Sequence, residues 1–142
     1  MKIYPLVLLA LSPLFPGIAS ADIALVTNPK NPVRAISGDD IARIFSGTLR
    51  TFPSTGMAAT ALDQPSSSDI YERFYRAALK TTPDIMKRRR ASYLFSGQGT
   101  IPEAFENNDA IKEQVAKRPS AIGYIDANAV DKTVKVIFLL KE

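Results

Sequence analysis

Apolar and polar positions along the chain follow two different periods. Four short apolar runs, each bounded by proline, glycine, asparagine or serine residues, have the length and boundaries of buried β-strands. They are Asp22–Thr27, Met57–Leu62, Ala121–Ile125 and Thr133–Leu140. The segments between them place apolar residues three or four positions apart, which is the spacing of an amphipathic helix. The chain is therefore predicted to alternate between strands and helices.

Capping residues mark the ends of the predicted helices. Ser37, with an aspartate three positions later, resembles the start of a capping box, and Gly47 is a typical helix stop. Thr82, followed directly by proline, predicts another helix start. Asn108 is predicted to cap a helix that ends near position 117. The residues before it, Pro102–Asn107, are predicted to form a helical turn.

The alternation of strands and helices predicts an α/β fold with three layers and a mostly parallel sheet, because helical crossovers join parallel strands. Ligands of such sheets bind beyond the carboxyl ends of the strands, next to helix starts. Two loops leave the carboxyl ends of predicted strands, and they are Thr27–Pro29 and Ser66–Ser68. We expect these loops to lie at the same edge of the sheet.

The turn Asp63–Ser68 joins a predicted strand to a helix in which Ile70, Phe74 and Ala77 recur at helical spacing. A helix start leaves several backbone N–H groups without partners, and hydroxyl groups beside them can help to hold an anion. Alternatively, one serine caps the helix and the others belong to a solvated loop. The local pattern leaves both interpretations open.

The first residues have the composition of a secretory signal peptide. Lys2 provides the positive start, Leu6–Leu14 is an apolar core too short to span a bilayer, and Ala19–Ala21 matches a cleavage site. We expect cleavage after Ala21, a periplasmic protein and a single domain over residues 22–142. The chain contains no cysteine, so no disulfide can stabilise that domain. The net charge of +4 is mildly basic and does not point to nucleic acid.

Two further segments each allow two interpretations. Lys87–Arg90 is a run of four cations on a predicted helix, which is either a solvated surface or a contact for a partner. Phe95–Thr100 contains two glycines and is either a plain connection or a loop whose backbone approaches a ligand closely.

Most enzymatic chemistry is excluded by composition. The chain contains neither histidine nor cysteine, which removes the usual nucleophile–base pairs and nearly all zinc sites. No glycine-rich nucleotide-binding motif is present. Asp39 and Asp40 are neighbours in the first turn of a predicted helix, where the helix dipole stabilises carboxylates. Adjacent side chains on a helix also point in different directions, so the two carboxylates are not expected to share a metal ion. We expect no enzymatic activity, no cofactor and no metal site.

Several motifs in this order resemble the phosphate-type periplasmic solute-binding proteins, especially their short, single-lobe relatives. The motifs are Ile23–Pro29, Asp40–Gly47, Phe74–Tyr75, Phe95–Thr100 and Ala121–Ile125. The resemblance implies a type-II periplasmic binding protein lobe, an oxyanion such as phosphate as ligand, and an ABC transporter as membrane partner. It also implies a set of ligand-binding residues. They are Ser66, Ser67, Ser68, Gly97, Gly99 and Thr100.

The sequence departs from that family at the turn itself. An arginine precedes Ser-Gly-Thr there in the family, whereas Asp63 stands at the arginine position here and Asp69 follows the serines. The family's guanidinium is therefore missing from the turn. The alternative function is a periplasmic interaction or sensory module that has lost phosphate binding and docks on a membrane receptor or transporter. A dimer that rebuilds a two-sided cleft is a third hypothesis.

Overall fold

The computed structural model describes residues 22–97 and 99–142, so the predicted signal peptide lies outside the described residues. Within these described residues, five strands and four α-helices follow one another. They are β1 (Ile23–Thr27), α1 (Gly38–Ser46), β2 (Thr60–Asp63), α2 (Asp69–Ala78), α3 (Pro83–Ser96), β3 (Glu103–Ala104), α4 (Asn108–Lys117), β4 (Ala121–Asp126) and β5 (Lys135–Leu140). A short 3₁₀ helix, Ala127–Ala129, follows β4. None of the described helices is long and apolar enough to cross a bilayer.

The five strands form one open sheet in the order β3-β2-β4-β1-β5. Strand β2 pairs in parallel with β3 and β4, whereas β1 pairs antiparallel with both β4 and β5. Four of the five strands therefore run in one direction and β1 runs against them. The predicted α/β class is confirmed, with a mixed sheet in which β1 is the exception to the mostly parallel arrangement.

The direction of β1 overturns one prediction about the sheet edge. Ile23, at the start of β1, pairs with Asp126 at the end of β4. The loop Thr27–Pro29 therefore lies at the opposite edge from Ser66–Ser68, and the expectation that the two loops lie together is wrong. At its own edge Asn28 donates hydrogen bonds to two carbonyl oxygens at the end of α4.

Apolar side chains on both faces of the sheet form two cores, which gives the predicted three layers. Ile23 and Leu25 face the core that contains α1, α2 and Met86 of α3. Ala24 and Val26 alternate with them and face α4 on the other side. All of β1 is buried, as expected for a strand covered on both faces.

The helix caps and turns follow the predictions from the local sequence, with one cap and one helical turn as exceptions. The Ser37 hydroxyl accepts a hydrogen bond from the third residue of its helix, and Gly47 ends that helix in the left-handed region with φ of 86°. Thr82 caps α3 as predicted. Asn107 rather than Asn108 caps α4. The helical turn predicted over Pro102–Asn107 is absent, because this segment contains β3 at the edge of the sheet.

Candidate functional site

The serine turn lies between β2 and α2 at the sheet edge where β2 and β4 end. Ser68 is the N-cap of α2: its hydroxyl accepts from the Tyr71 N–H at 3.3 Å and donates to the Pro65 carbonyl at 2.6 Å. Ser66 and Ser67 are exposed, and no other described residue uses their hydroxyls. One serine therefore stabilises the helix, and the other two remain open to solvent or to a ligand.

A buried carboxylate lies directly beneath the turn. Asp63, the last residue of β2, is only 2% exposed. Its carboxylate accepts hydrogen bonds from the Tyr75 hydroxyl at 2.6 Å, from the Gln64 N–H at 2.9 Å and from the Tyr124 hydroxyl. Strands β2 and β4 are parallel neighbours, which is why Tyr124 and Asp63 meet at the same level of the sheet.

An arginine from α3 completes this group. The Arg90 guanidinium lies 3.4 Å from the Asp63 carboxylate, donates to the Tyr75 hydroxyl at 2.5 Å and donates to the Tyr71 hydroxyl at 3.3 Å. The other three cations of the run, Lys87–Arg89, are exposed. The turn itself lacks an arginine, but α3 supplies one to the site from 27 residues further along the chain.

Sequence reasoning missed Arg90 because four consecutive cations on a helix point in four directions, and nothing local distinguishes them. The one signal in the sequence that could have indicated such an arginine is a carboxylate without an evident local partner. Asp63 follows a buried strand, and a carboxylate at such a position requires a cationic or hydroxyl partner.

Burial raises the pKa of the Asp63 carboxyl group above its ordinary value, although hydrogen bonds from Tyr124 and Tyr75 and the charge of Arg90 act in the opposite direction. Burial also raises the pKa values of Tyr75 and Tyr124, and the neighbouring Asp63 charge raises them further. Both phenols therefore stay neutral and act as hydrogen-bond donors toward Asp63.

A pocket of about 430 Å³ opens between the serine turn and α3. Its lining includes Ser66, Tyr71 and the two cationic residues Lys87 and Arg90. Leu94 forms part of its rim and is 70% exposed. The pocket thus combines hydroxyl donors, a helix start and two positive charges, which suits a small anion.

The carboxylate that follows the turn, Asp69, does not line this pocket and forms an ion pair with Arg73. Arg73 donates to Asp69 at 2.7 Å and to Asp126 at 2.8 Å, and it lies 3.5 Å from Glu142. Asn108 extends this second cluster, since it donates to Asp126 and accepts from the Gln64 side chain. Asp69 is therefore neutralised by Arg73 on the β4 side of α2.

The structure does not bring the predicted glycines to the serine turn. Gly97 and Gly99 line a different depression, of about 410 Å³, beside Gly47 at the end of α1. Thr100 packs against the same glycine, since a Cβ on Gly47 would lie 2.6 Å from the Thr100 carbonyl oxygen. The reason is topological: residues before β3 lie near the amino end of its parallel neighbour β2, whereas Ser66 follows the carboxyl end.

No protein-family model and no curated protein matches this chain. Solved structures with a similar fold include an ABC-type phosphate transport receptor from Vibrio cholerae, with 20% identity, a TM-score of 0.65, and coverage of 81% of this chain and 44% of that one. PstS from Borrelia burgdorferi has 18% identity and a TM-score of 0.62, with coverage of 81% and 46%.

A candidate phosphate ABC transporter substrate-binding protein with bound phosphate, from Clostridium perfringens, has 19% identity and a TM-score of 0.64, with coverage of 81% and 43%. The chain thus spans less than half the length of the structures it matches. The resemblance inferred from the sequence motifs is confirmed at the level of the fold: this chain has the α/β architecture of part of a phosphate ABC transporter substrate-binding protein.

Proposed function

We propose that this chain is an exported, non-enzymatic solute-binding protein that binds a small oxyanion such as phosphate at the start of α2 and serves a membrane transporter. The observation that supports this most is the shared pocket of Ser66, Lys87 and Arg90. The similarity of fold to phosphate-transport proteins adds the class of ligand.

Each part of the pocket has a chemical role in this proposal. The open hydroxyls of Ser66 and Ser67 donate hydrogen bonds to the anion, and the start of α2 adds its partial positive charge. Arg90 offers a planar guanidinium, which matches the geometry of a tetrahedral oxyanion. Lys87 contributes a flexible point charge at the pocket mouth. Gly97, Gly99 and Thr100 do not line this pocket. Their role in anion binding stays a prediction.

The bound anion must share Arg90 with Asp63. A carboxylate 3.4 Å from the guanidinium already offsets part of its charge. The pocket is also open on one side, so a bound anion keeps part of its hydration. We therefore expect weak binding, with a dissociation constant of about 1 mM, which corresponds to about 4 kcal/mol of binding free energy.

Isothermal titration with phosphate and with sulfate tests the proposal. Lys87→Gln and Ser66→Ala, at two positions that line the pocket, are expected to weaken binding several-fold. The exposed control variants Lys132→Gln and Ser54→Ala are expected to leave it unchanged. The absence of heat at millimolar phosphate and sulfate would contradict the proposal. Equal losses in the pocket variants and in the controls would also contradict it, because they would indicate a nonspecific charge effect.

One observation favours a second candidate, a docking or sensory module without anion binding. Asp63 already occupies Arg90 as an internal anion beneath the turn. If that carboxylate replaces the ligand, wild-type protein gives no heat with phosphate, and Asp63→Asn creates binding by releasing Arg90. If the first candidate holds, the wild-type protein binds and Asp63→Asn strengthens the binding.

A further inference from the structure

Helix α3 contributes little to the core of this protein. Of its 14 residues only Met86 is buried, and Arg90 is the one residue of the basic run that turns inward. At its carboxyl-terminal end Leu94 is 70% exposed and Phe95 is 94% exposed. Large apolar side chains this exposed, next to each other, indicate a surface that contacts something else.

The apolar end of α3 lies on the same side of the helix as exposed cations. Lys87 and Arg88 precede Leu94 and Phe95 by seven positions, which is two helical turns or about 10 Å along the axis. Within the described residues, none of Lys87, Arg88 and Arg89 forms an ion pair. Arg89 is about 100° further round the helix than Arg88 and does not share this side. The exposed residues that do share it make up the α3 outer face: Lys87, Arg88, Leu94 and Phe95.

We propose that the α3 outer face docks this protein on an anionic phospholipid surface. Leu94 and Phe95 enter the boundary between headgroups and acyl chains, and the cations meet the headgroup charges about two turns behind them. Apolar side chains at that depth and cations near an anionic surface are the two contributions on which peripheral membrane binding depends.

Area and charge argue against the other occupants. A Phe side chain buries roughly 150 to 250 Å², so two such groups supply far less than the roughly 800 Å² per partner of a stable protein interface. A second copy of the chain would bring the same cations to a two-fold contact, where they repel. A bilayer surface, unlike a protein partner, does not need a complementary shape to contact these residues. Lys87 and Leu94 also line the pocket beside the serine turn, whereas Arg88 and Phe95 do not. An indole at position 95 therefore reports membrane docking separately from anion binding in that pocket.

The absence of tryptophan from the chain allows a direct test. In Phe95→Trp the introduced indole is the only one in the chain. Its emission therefore reports the environment of position 95 and not that of the predicted signal peptide. With vesicles of phosphatidylcholine and phosphatidylglycerol we expect a blue shift of the emission at position 95. The matched control is Met57→Trp, at an exposed apolar position far from α3 in sequence, and no shift is expected there. No shift at position 95, or the same shift at both positions, would overturn the proposal.

Charge variants complete the experiment. The double variant Lys87→Gln, Arg88→Gln is expected to lower the vesicle partition coefficient roughly 25-fold, since each cation near an anionic surface contributes about fivefold. The control double variant Lys132→Gln, Lys141→Gln removes the same charge from exposed positions elsewhere and keeps most of the binding. Equal losses in the two double variants would overturn the proposal. Concentration-dependent self-association that Phe95→Ser abolishes would also overturn it, in favour of a second copy as the occupant.

Discussion

Two arginine–carboxylate clusters lie at the same edge of the sheet, and they differ in how many acids share each arginine. Among the residues that the structure describes, Arg90 has one carboxylate partner, Asp63, together with hydroxyls from α2. Arg73 contacts at least three carboxylates, those of Asp69, Asp126 and Glu142. The positive charge of Arg73 is therefore compensated by carboxylates of the protein itself. Only the Arg90 side, where Lys87 is also present, retains positive charge that can attract an anion.

The clusters also differ in burial. The Asp63 side chain is 2% exposed and that of Arg90 is 16% exposed, whereas the side chains of Arg73 and Asp126 are both 24% exposed. An ion pair that is screened by less water depends more strongly on each partner. We therefore expect substitutions in the Asp63–Arg90 pair to cost more stability than substitutions around Arg73.

The first prediction compares the two arginines directly. Arg90→Met is expected to lower the free energy of unfolding by about 3 kcal/mol, because it leaves the buried Asp63 charge without a cation. Arg73→Met is expected to cost about 1 kcal/mol, since its partners can turn toward water. Urea denaturation of the two variants measures both values. Equal losses would remove burial as the difference between the clusters.

The second prediction concerns the tyrosines that hold Asp63. Tyr124→Phe removes a hydrogen bond to a buried carboxylate and is expected to cost about 2 kcal/mol. Tyr71→Phe removes only a 3.3 Å bond from Arg90 and is expected to cost less than about 1 kcal/mol. Thermal denaturation of both variants is the measurement. A larger loss for Tyr71→Phe would show that the network is not centred on Asp63.

The third prediction is a pH dependence. Because burial raises the pKa of Asp63, the folded protein binds more protons at this site than the unfolded chain between the ordinary carboxyl pKa and the native one. The contribution of Asp63 to stability therefore falls as pH rises through that window. Arg90 and the tyrosines of α2 and β4 offset part of the burial, so the effect is expected to be smaller than the two preceding ones.

Urea denaturation of wild type and Asp63→Asn at several pH values measures this dependence. The wild-type free energy of unfolding, relative to that of the variant, should decline from acidic to neutral pH. Asp131 is the control of opposite sign, because the Thr133 hydroxyl and Lys112 hold its pKa at about 2. The contribution of Asp131 to stability is fully present above the ordinary carboxyl pKa. It is lost as pH falls from there through the lowered pKa of the folded protein. A pH-independent difference for Asp63→Asn would refute the raised pKa.

The fourth prediction has the smallest effect on stability. Asp69 is 84% exposed, and its ion pair with Arg73 is largely screened by water. Asp69→Asn is therefore expected to change the free energy of unfolding by less than about 0.5 kcal/mol. Chemical denaturation beside the wild type checks this. A loss as large as that of Tyr124→Phe would mean that the second cluster is structural in the same way as the first.

Local features of this fold could be predicted from the sequence, and non-local ones could not. Ser37 and Gly47 mark the ends of α1 because a cap depends only on residues within one turn. The direction of β1 depends instead on its pairing with β4, almost 100 residues later. Strand–helix alternation favours parallel neighbours, and nothing within Ile23–Thr27 indicates the exception.

The candidate site shows the same division. The serine turn, and a cap by one of its serines, could be predicted from the pattern of strand, turn and helix, and the structure identifies that serine as Ser68. The role of Arg90 could not be predicted, since it follows from the position of Asp63 against α3. Gly97 and Gly99 line a depression away from the serine turn, and their role in binding stays a prediction. The two-residue strand β3 has no clear apolar pattern from which that placement could be predicted.

We expect the proposed oxyanion to bind between the serine turn and α3 rather than beside Arg73. Nuclear magnetic resonance of labelled protein during a phosphate titration distinguishes the two places, because each backbone amide reports separately. Saturable shifts that sulfate reproduces are expected at Ser66, Ser67 and Ile70, with little change at Asn108. Shifts centred on Asn108 and Arg73, or no saturable shift at any amide, would contradict this expectation.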